Sequence, residues 1–296
     1  MELIYLLQSV ASPALDTVML WITQLGSEQV YIVLLIVAFL VIDAEKGRYL
    51  ALIFLVGFYL NQVLKGLFAT QRPYLIDETV SRSQAAIDSG PGSGFPSGHA
   101  QSSVTFWATA AYFVRRRWFS VLAVVVVLAI SLSRLYLGVH LPIDVVGGLL
   151  VGVLVVVVGI ALERRRLLLP LAAKLVLGLL LPLLLQLLFP LDESGILLGG
   201  LAAFVVGPEL IKHDTSGPLA GRLVLGLIGI ALAFGVLALS SALLPEEVKR
   251  NALGSFLRYF LLALSGTALA PWLGRVSGLT RGRTTRSSVV ASAGRS

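Results

Sequence analysis

Of 296 residues, 57% are hydrophobic and 13% charged, the mean hydropathy is +0.90, and the formal net charge is +7. A soluble protein of this length needs far more polar surface than these residues supply, so the composition specifies an all-α, polytopic transmembrane helix bundle with no second, soluble domain. The chain has no cysteine, which excludes a disulfide framework, a thiolate metal site and a cysteine nucleophile. Its positive charge falls in short runs beside apolar segments, where it marks the cytoplasmic side of a membrane and not a nucleic-acid surface.

The opening segment, 3–24, carries Gln8, Ser9, Pro13, Asp16 and Thr17 among apolar residues at helical spacing. It is expected to be an interfacial amphipathic helix, the alternative being a tenth span. Spans are then expected near 28–43, 48–64, 99–114, 118–135, 142–162, 167–189, 195–211, 219–243 and 250–273, about nine in all. Basic runs set their direction. With Asp43 to Arg48, Arg115 to Arg117, Glu163 to Arg166, Ile211 to Asp214 and the C-terminus all cytoplasmic, the long connection from Lys65 to Gly98 and the short one from Tyr136 to Pro142 fall outside without contradiction.

The chain divides into a catalytic membrane domain, 1–163, a set of C-terminal helices, 164–276, and a basic, disordered tail, 277–296. Almost every unusual polar residue within a span lies in the first part. The later helices are mainly Leu, Val, Ala and Gly, a composition that allows packing, homo-oligomerisation or a lipid path and selects none of them.

Three constellations stand at the outer ends of the first spans. In "KGLFATQRP", Lys65 and Arg72 are seven residues apart. A helix continuing to Pro73 would set both cations on one face, about 10 Å apart, able to grip a single anion; the plain alternative is that both snorkel to the interface. In "PSGH", Ser97 offers a hydroxyl, Gly98 permits close backbone approach, and the amides of the span that begins near His99 face any bound oxyanion. An imidazole at that mouth can protonate a leaving oxygen. In "SRLYLGVHLPID", Arg134 ends one span, His140 opens the next, and Asp144 follows four residues later. A carboxylate that takes the Nδ1 proton leaves Nε2 free as a nucleophile, and it also stabilises the cation formed on attack. His213, in a short cytoplasmic loop, is read as a solvated residue, and Asn61, Gln62 and Gln186 as interhelical hydrogen-bonding groups.

Taken in order, Lys65 to Arg72-Pro73, Pro96 to His99, and Ser133-Arg134 through His140 to Asp144 resemble the three-part signature of the type 2 phosphatidic acid phosphatase (PAP2) superfamily. The resemblance covers roughly residues 20–163. It implies an integral-membrane phosphatase of lipid phosphates or pyrophosphates in which His140 attacks phosphorus, Asp144 orients it and His99 protonates the leaving alkoxide. Lys65, Arg72, Ser97, Gly98 and Arg134 would hold the phosphoryl oxygens, with no metal or other cofactor required. The expected partners are a phosphorylated lipid and the surrounding membrane lipids, with the active site on the extracytoplasmic face. Two other outcomes stay open: a phosphotransferase that passes the phosphoryl group to a lipid or sugar acceptor, and a non-enzymatic transporter or scramblase-like bundle. The extension beyond residue 163 is similar in length to that of the glucose-6-phosphatase and sphingosine-1-phosphate phosphatase branches, and carries no substrate motif of its own.

Overall fold

A computed structural model describes residues 1–90, 92–165, 169–191 and 194–280, so residues 281–296 of the expected tail lie outside the described residues. Among the described residues, 81% are helical and no strand occurs. The N-terminal segment is two helices where one was expected: α1 (Glu2–Gln8) and α2 (Pro13–Gln24). The break falls at Ser12, which Pro13 pushes into extended backbone and whose hydroxyl caps Leu15 N at 3.3 Å. Gln8 Nε2 then donates to Val80 O and Tyr136 O at 2.8 and 2.7 Å, tying α1 to the rest of the molecule. Next comes α3 (Glu28–Val37), which continues through a π-helical turn, Ala38–Ile42.

The next helix, α4 (Ala44–Phe68), is capped by Asp43 and ends at Ala69, which adopts left-handed backbone at φ 45. The long connection after it folds into α5 (Pro73–Ile76), a 3-10 turn and α6 (Gln84–Asp88). The first part is completed by α7 (Gly98–Val114), α8 (Arg117–Tyr136) and α9 (Pro142–Arg164). Beyond it lie α10 (Leu171–Leu175), joined to α11 (Leu181–Leu188) by a π turn, then α12 (Ser194–Leu210) and α13 (Leu219–Leu243). Last are α14 (Glu246–Arg250), α15 (Ala252–Leu264), a π turn at Ser265–Leu269 and α16 (Ala270–Val276).

Each of the nine expected spans falls largely on helix. Six of the described helices are long and apolar enough to cross a membrane, or seven if α2 and α3, bent by 46° at their junction, count as one span. The two remaining segments, α7 and α12, have 17 residues each. At 1.5 Å per residue that is about 25 Å, somewhat less than a hydrocarbon core of about 30 Å.

One buried cluster joins the two parts of the chain. Tyr31, Leu35, Phe39, Leu50, Phe54 and Phe106 pack with Leu197, Phe204, Leu225 and Leu262. Closer in, α9 rides directly on the start of α7, because a Cβ on Gly148 would lie 2.5 Å from Ser97 O and one on Gly152 would lie 2.9 Å from Gln101 O. That backbone contact brings the loops before both helices into register. The outward faces of α8 and α9 expose Val121, Val124, Val125, Leu150, Val153 and Val157, as a lipid-facing surface does.

At the opposite end, Glu209 pairs with Lys174 at 2.9 Å and Arg48 at 3.4 Å. The solvated loop expected for His213 is corrected here: its Nε2 meets Leu40 O at 3.0 Å and its ring lies 5.6 Å from Phe39. The π turn after α3 leaves carbonyls without helical partners, and His213 and Arg222, which reaches Val41 O at 2.7 Å, satisfy two of them.

Candidate active site

A helix continuing from Lys65 to Pro73, which would have set both cations on one face, does not form. The left-handed turn at Ala69 ends α4 four residues after Lys65, and Pro73, at the first position of α5, holds Arg72 in extended backbone at ψ 155. The two cations therefore reach one cavity from a helix end and from a loop, and do not share a helix face. Arg72 is 1% exposed, and its guanidinium is held by main-chain carbonyls of the loops before α7 and before α9. Nε donates to Gly92 O at 2.8 Å, Nη2 to Ser93 O at 3.1 Å and Nη1 to Val139 O at 2.8 Å.

The turn before α7 is fixed from two sides. Ser97 N donates to Asp144 O at 2.9 Å, which joins the α7 and α9 termini. Asn61 Nδ2 on α4 donates to Pro96 O at 3.3 Å and to Gln101 Oε1 at 2.8 Å, and Gln101 Nε2 donates to Gly57 O at 2.5 Å. Asn61 thus has the interhelical role expected of it, and so does Gln186, which accepts from Ser194 Oγ at 2.7 Å between α11 and α12. Gly98 is the first residue of α7 and His99 the second. A Cβ on Gly26, in the bend between α2 and α3, would lie 2.9 Å from His99 Cδ2, so the α2–α3 junction forms a wall against that ring.

Arg134, two residues before the end of α8, is fully buried. Its Nη1 donates to Thr23 Oγ1 at 2.6 Å and Ser89 Oγ at 2.8 Å, and its Nη2 donates to Ser89 O at 3.0 Å. Nε has no partner among the described residues.

His140 does not open a helix: it lies just ahead of Leu141, the N-cap of α9. Asp144, at the third position of α9, accepts from Leu141 N at 2.8 Å through Oδ2. The same oxygen lies 3.5 Å from His140 Nδ1, too long for a formed hydrogen bond but facing it. On the other side of the ring, Nε2 is 3.1 Å from Arg72 Nη1. A guanidinium can only donate, so Nε2 carries the lone pair and Nδ1 the proton that points to Asp144. Burial, then the charges of Arg72, Arg134 and Lys65, push the His140 pKa well below its ordinary 6.5 and keep the ring neutral.

These residues surround a cavity of about 410 Å³ whose lining includes Lys65, Arg72, Gly98, His99, Arg134 and His140. Ser97 and Asp144 stand buried behind it, and Ser97 Oγ has no partner among the described residues. Among the lining or supporting residues not singled out in the sequence are Thr23, Gly26, Glu28, Ser89 and Gly90. The glycine- and serine-rich run 89–94 was the available signal for the last two, and nothing local marks Thr23. Arg82, by contrast, stays outside the cavity and forms a salt bridge with Asp16 at 2.9 Å.

A membrane helix bundle with three cations and two histidines converging on one cavity is built to bind an oxyanion and present it to an imidazole. The PAP2 superfamily model matches residues 46–167, and the model described as the PAP2 superfamily phosphatase transmembrane extension matches residues 191–283. The chain belongs to the PAP2 superfamily and is an integral membrane protein. An undecaprenyl-diphosphatase of Sulfolobus acidocaldarius is 29% identical over 140 residues, 47% of this chain and 66% of that one. Phosphatidylglycerophosphatase B of Bacillus subtilis is 28% identical over 158 residues, 49% of this chain and 73% of that one. The chain thus spans just under two thirds of the first relative's length and somewhat more of the second's. The crystal structure of Aquifex aeolicus LpxE is 26% identical, with a TM-score of 0.48, over 54% of this chain and 93% of that one. The family and the names of these relatives support a phosphatase, that is hydrolase, activity.

Proposed function

We propose that the protein is a metal-independent phosphatase of membrane lipids that works through a phosphohistidine. The observation that carries this reading is the setting of His140: its Nε2 faces a cationic cavity, 3.1 Å from Arg72 Nη1, while its Nδ1 lies 3.5 Å from Asp144 Oδ2. In the first step Nε2 attacks phosphorus and the bond from phosphorus to the lipid oxygen breaks, with His99, protonated once the anionic headgroup offsets the cations around it, supplying the proton to the departing alkoxide. Asp144 stabilises the positive charge left on the ring. In the second step water attacks phosphorus while His99 accepts its proton, and the bond from phosphorus to Nε2 breaks, releasing inorganic phosphate and restoring both histidines. Lys65, Arg72 and Arg134, with the backbone at Ser97 and Gly98, carry the charge of the equatorial oxygens.

The substrate in this reading is a lipid carrying a phosphate or diphosphate. The cavity lies at the ends of membrane helices, where a headgroup can enter while its tail remains in lipid, and the relatives are named for an undecaprenyl diphosphate and a phosphatidylglycerophosphate. We place the cavity on the extracytoplasmic face, with nine helical crossings and the C-terminus inside. The basic runs at Arg115 to Arg117 and Glu163 to Arg165 lie at the far ends of α7, α8 and α9 from the cavity, which supports that orientation. The division at residue 163 into a catalytic part and supporting helices belongs to the same reading.

The test is rapid quenching with a 32P-labelled lipid phosphate. The wild-type protein should carry acid-labile, base-stable label, and His140→Ala should carry none while eluting as a folded protein. A His140→Ala enzyme that still turns over would refute the mechanism.

A further inference from the structure

We infer that the hydrocarbon tail of the substrate enters a dry slot between α3, α4, α12 and α15, so that the C-terminal helices take part in substrate recognition. This rests on the lipid-phosphatase reading above. The slot is a cavity of about 60 Å³ lined by Ile32 and Ile36 on α3, Leu55 on α4, Gly200 and Phe204 on α12 and Leu262 on α15. Two of its walls, α3 and α4, also line the catalytic cavity, about one helical turn away. Glu28 and Ile32 are four residues apart on α3, Phe58 and Leu55 are three apart on α4, and Leu191 precedes α12 while Ile196 lies in it. The first of each pair lines the polar cavity and the second the slot, at spacings that share a helix face.

The local packing explains why this space stays open. On α12, Gly199 is a packing glycine, because its Cβ would lie 2.5 Å from Phe256 O. Gly200 has no such need: a Cβ there would sit at an ordinary 3.5 Å from the Leu55 methyls. Across the slot, a Cβ on Gly266 would meet only Ile36, at 3.8 Å. Both positions would accept a side chain, and without one they leave a void. Two of the π turns border that void, through Phe39 on one side and Gly266 and Thr267 on the other, and a π turn widens its helix locally. The Thr267 hydroxyl is already engaged with Ala203 O at 3.1 Å and Ala263 O at 2.9 Å. Ordered water needs two to four polar partners, which this mostly hydrocarbon lining does not offer, and an empty dry space forfeits dispersion contacts. A short run of methylenes from a lipid anchored by its phosphate in the adjoining cavity restores them.

The test compares full-length wild type with Gly200→Leu, Gly266→Leu and Gly200→Ala, using dioleoyl and dihexanoyl phosphatidic acid in the same mixed micelles. The leucine variants should raise KM for the dioleoyl substrate at least about tenfold and change the dihexanoyl kinetics by less than about twofold, with alanine between them and wild type. Equal losses for both chain lengths, or no loss for either, would overturn the inference. A second readout does not depend on turnover. A non-hydrolysable lipid phosphonate with a photoreactive group in its tail should crosslink to peptides containing Leu55 or Ile196 in wild type and not in Gly200→Leu. Crosslinking without phosphate release would uphold the slot and discard the phosphatase; phosphate release with crosslinking elsewhere would do the reverse.

Discussion

Thr23→Val removes one hydroxyl and keeps the shape of the side chain, and it should weaken phosphate binding although Thr23 need not touch the substrate. Thr23 Oγ1 is one of three acceptors of the fully buried Arg134 guanidinium, the others being the hydroxyl and carbonyl of Ser89. A hydrogen bond to a charged group is worth about 1.5–3 kcal/mol. Ser89 Oγ still receives a bond from the same nitrogen, so the net loss should fall near the lower end, about 1–2 kcal/mol. At 1.4 kcal/mol per decade this is about a 5- to 30-fold fall in kcat/KM, with a parallel rise in the vanadate inhibition constant. Thr23→Ser keeps the acceptor and should stay within about threefold of wild type. The assay is phosphate release from a lipid phosphate with vanadate titration, alongside a melting curve in the same detergent. A valine variant that loses thermal stability but binds vanadate as wild type does would refute the positioning role. The outcome bears on the whole architecture, because Thr23 precedes residue 46, where the family match begins.

Asp144→Asn should lower kcat by about two to four decades with a small change in KM, since the lost charge matters only once His140 becomes cationic; equal changes in kcat and in the binding of a product analogue would contradict this. Vanadate, which takes up trigonal-bipyramidal geometry, should inhibit potently while EDTA leaves activity unchanged; EDTA-sensitive activity restored by Mg²⁺ would defeat the metal-independent reading. Because burial and the nearby cations hold His140 neutral, the acid limb of kcat/KM should lie below pH 6.5. The unfolded chain binds this proton at higher pH than the folded one, so the group's contribution to stability is complete above about 6.5 and declines as pH falls below it. An acid limb above 6.5 would show a charged ring. Finally, Gln84→Cys, at the exposed start of α6 in the long connection, should react with an impermeant maleimide from outside the cell, and Ser287→Cys only after permeabilisation; the reverse would move the cavity to the cytoplasm.

Hydropathy alone located the long apolar helices, because a segment buried in hydrocarbon must satisfy its backbone internally whatever its neighbours are. The local part of the site was equally legible. His140 and Asp144 are four residues apart around Pro142, and Ser97 to His99 sit where a helix begins, so sequence spacing set their proximity. Whether Lys65 and Arg72 share a helix face was not legible, because what awaits the chain beyond a span decides whether its helix continues. Here the carbonyls of Gly92, Ser93 and Val139 await Arg72, 20 or more residues away in sequence. His213 was misread for a related reason, since its partner is a carbonyl bared by a π turn on α3. Thr23, Gly26 and Glu28 carry no motif, and only the packing of α2 and α3 against α8 and α7 makes them part of the cavity. Main-chain acceptors and close helix contacts are independent of residue type, so they leave little trace in the sequence, and only the tertiary structure shows which side chains they hold.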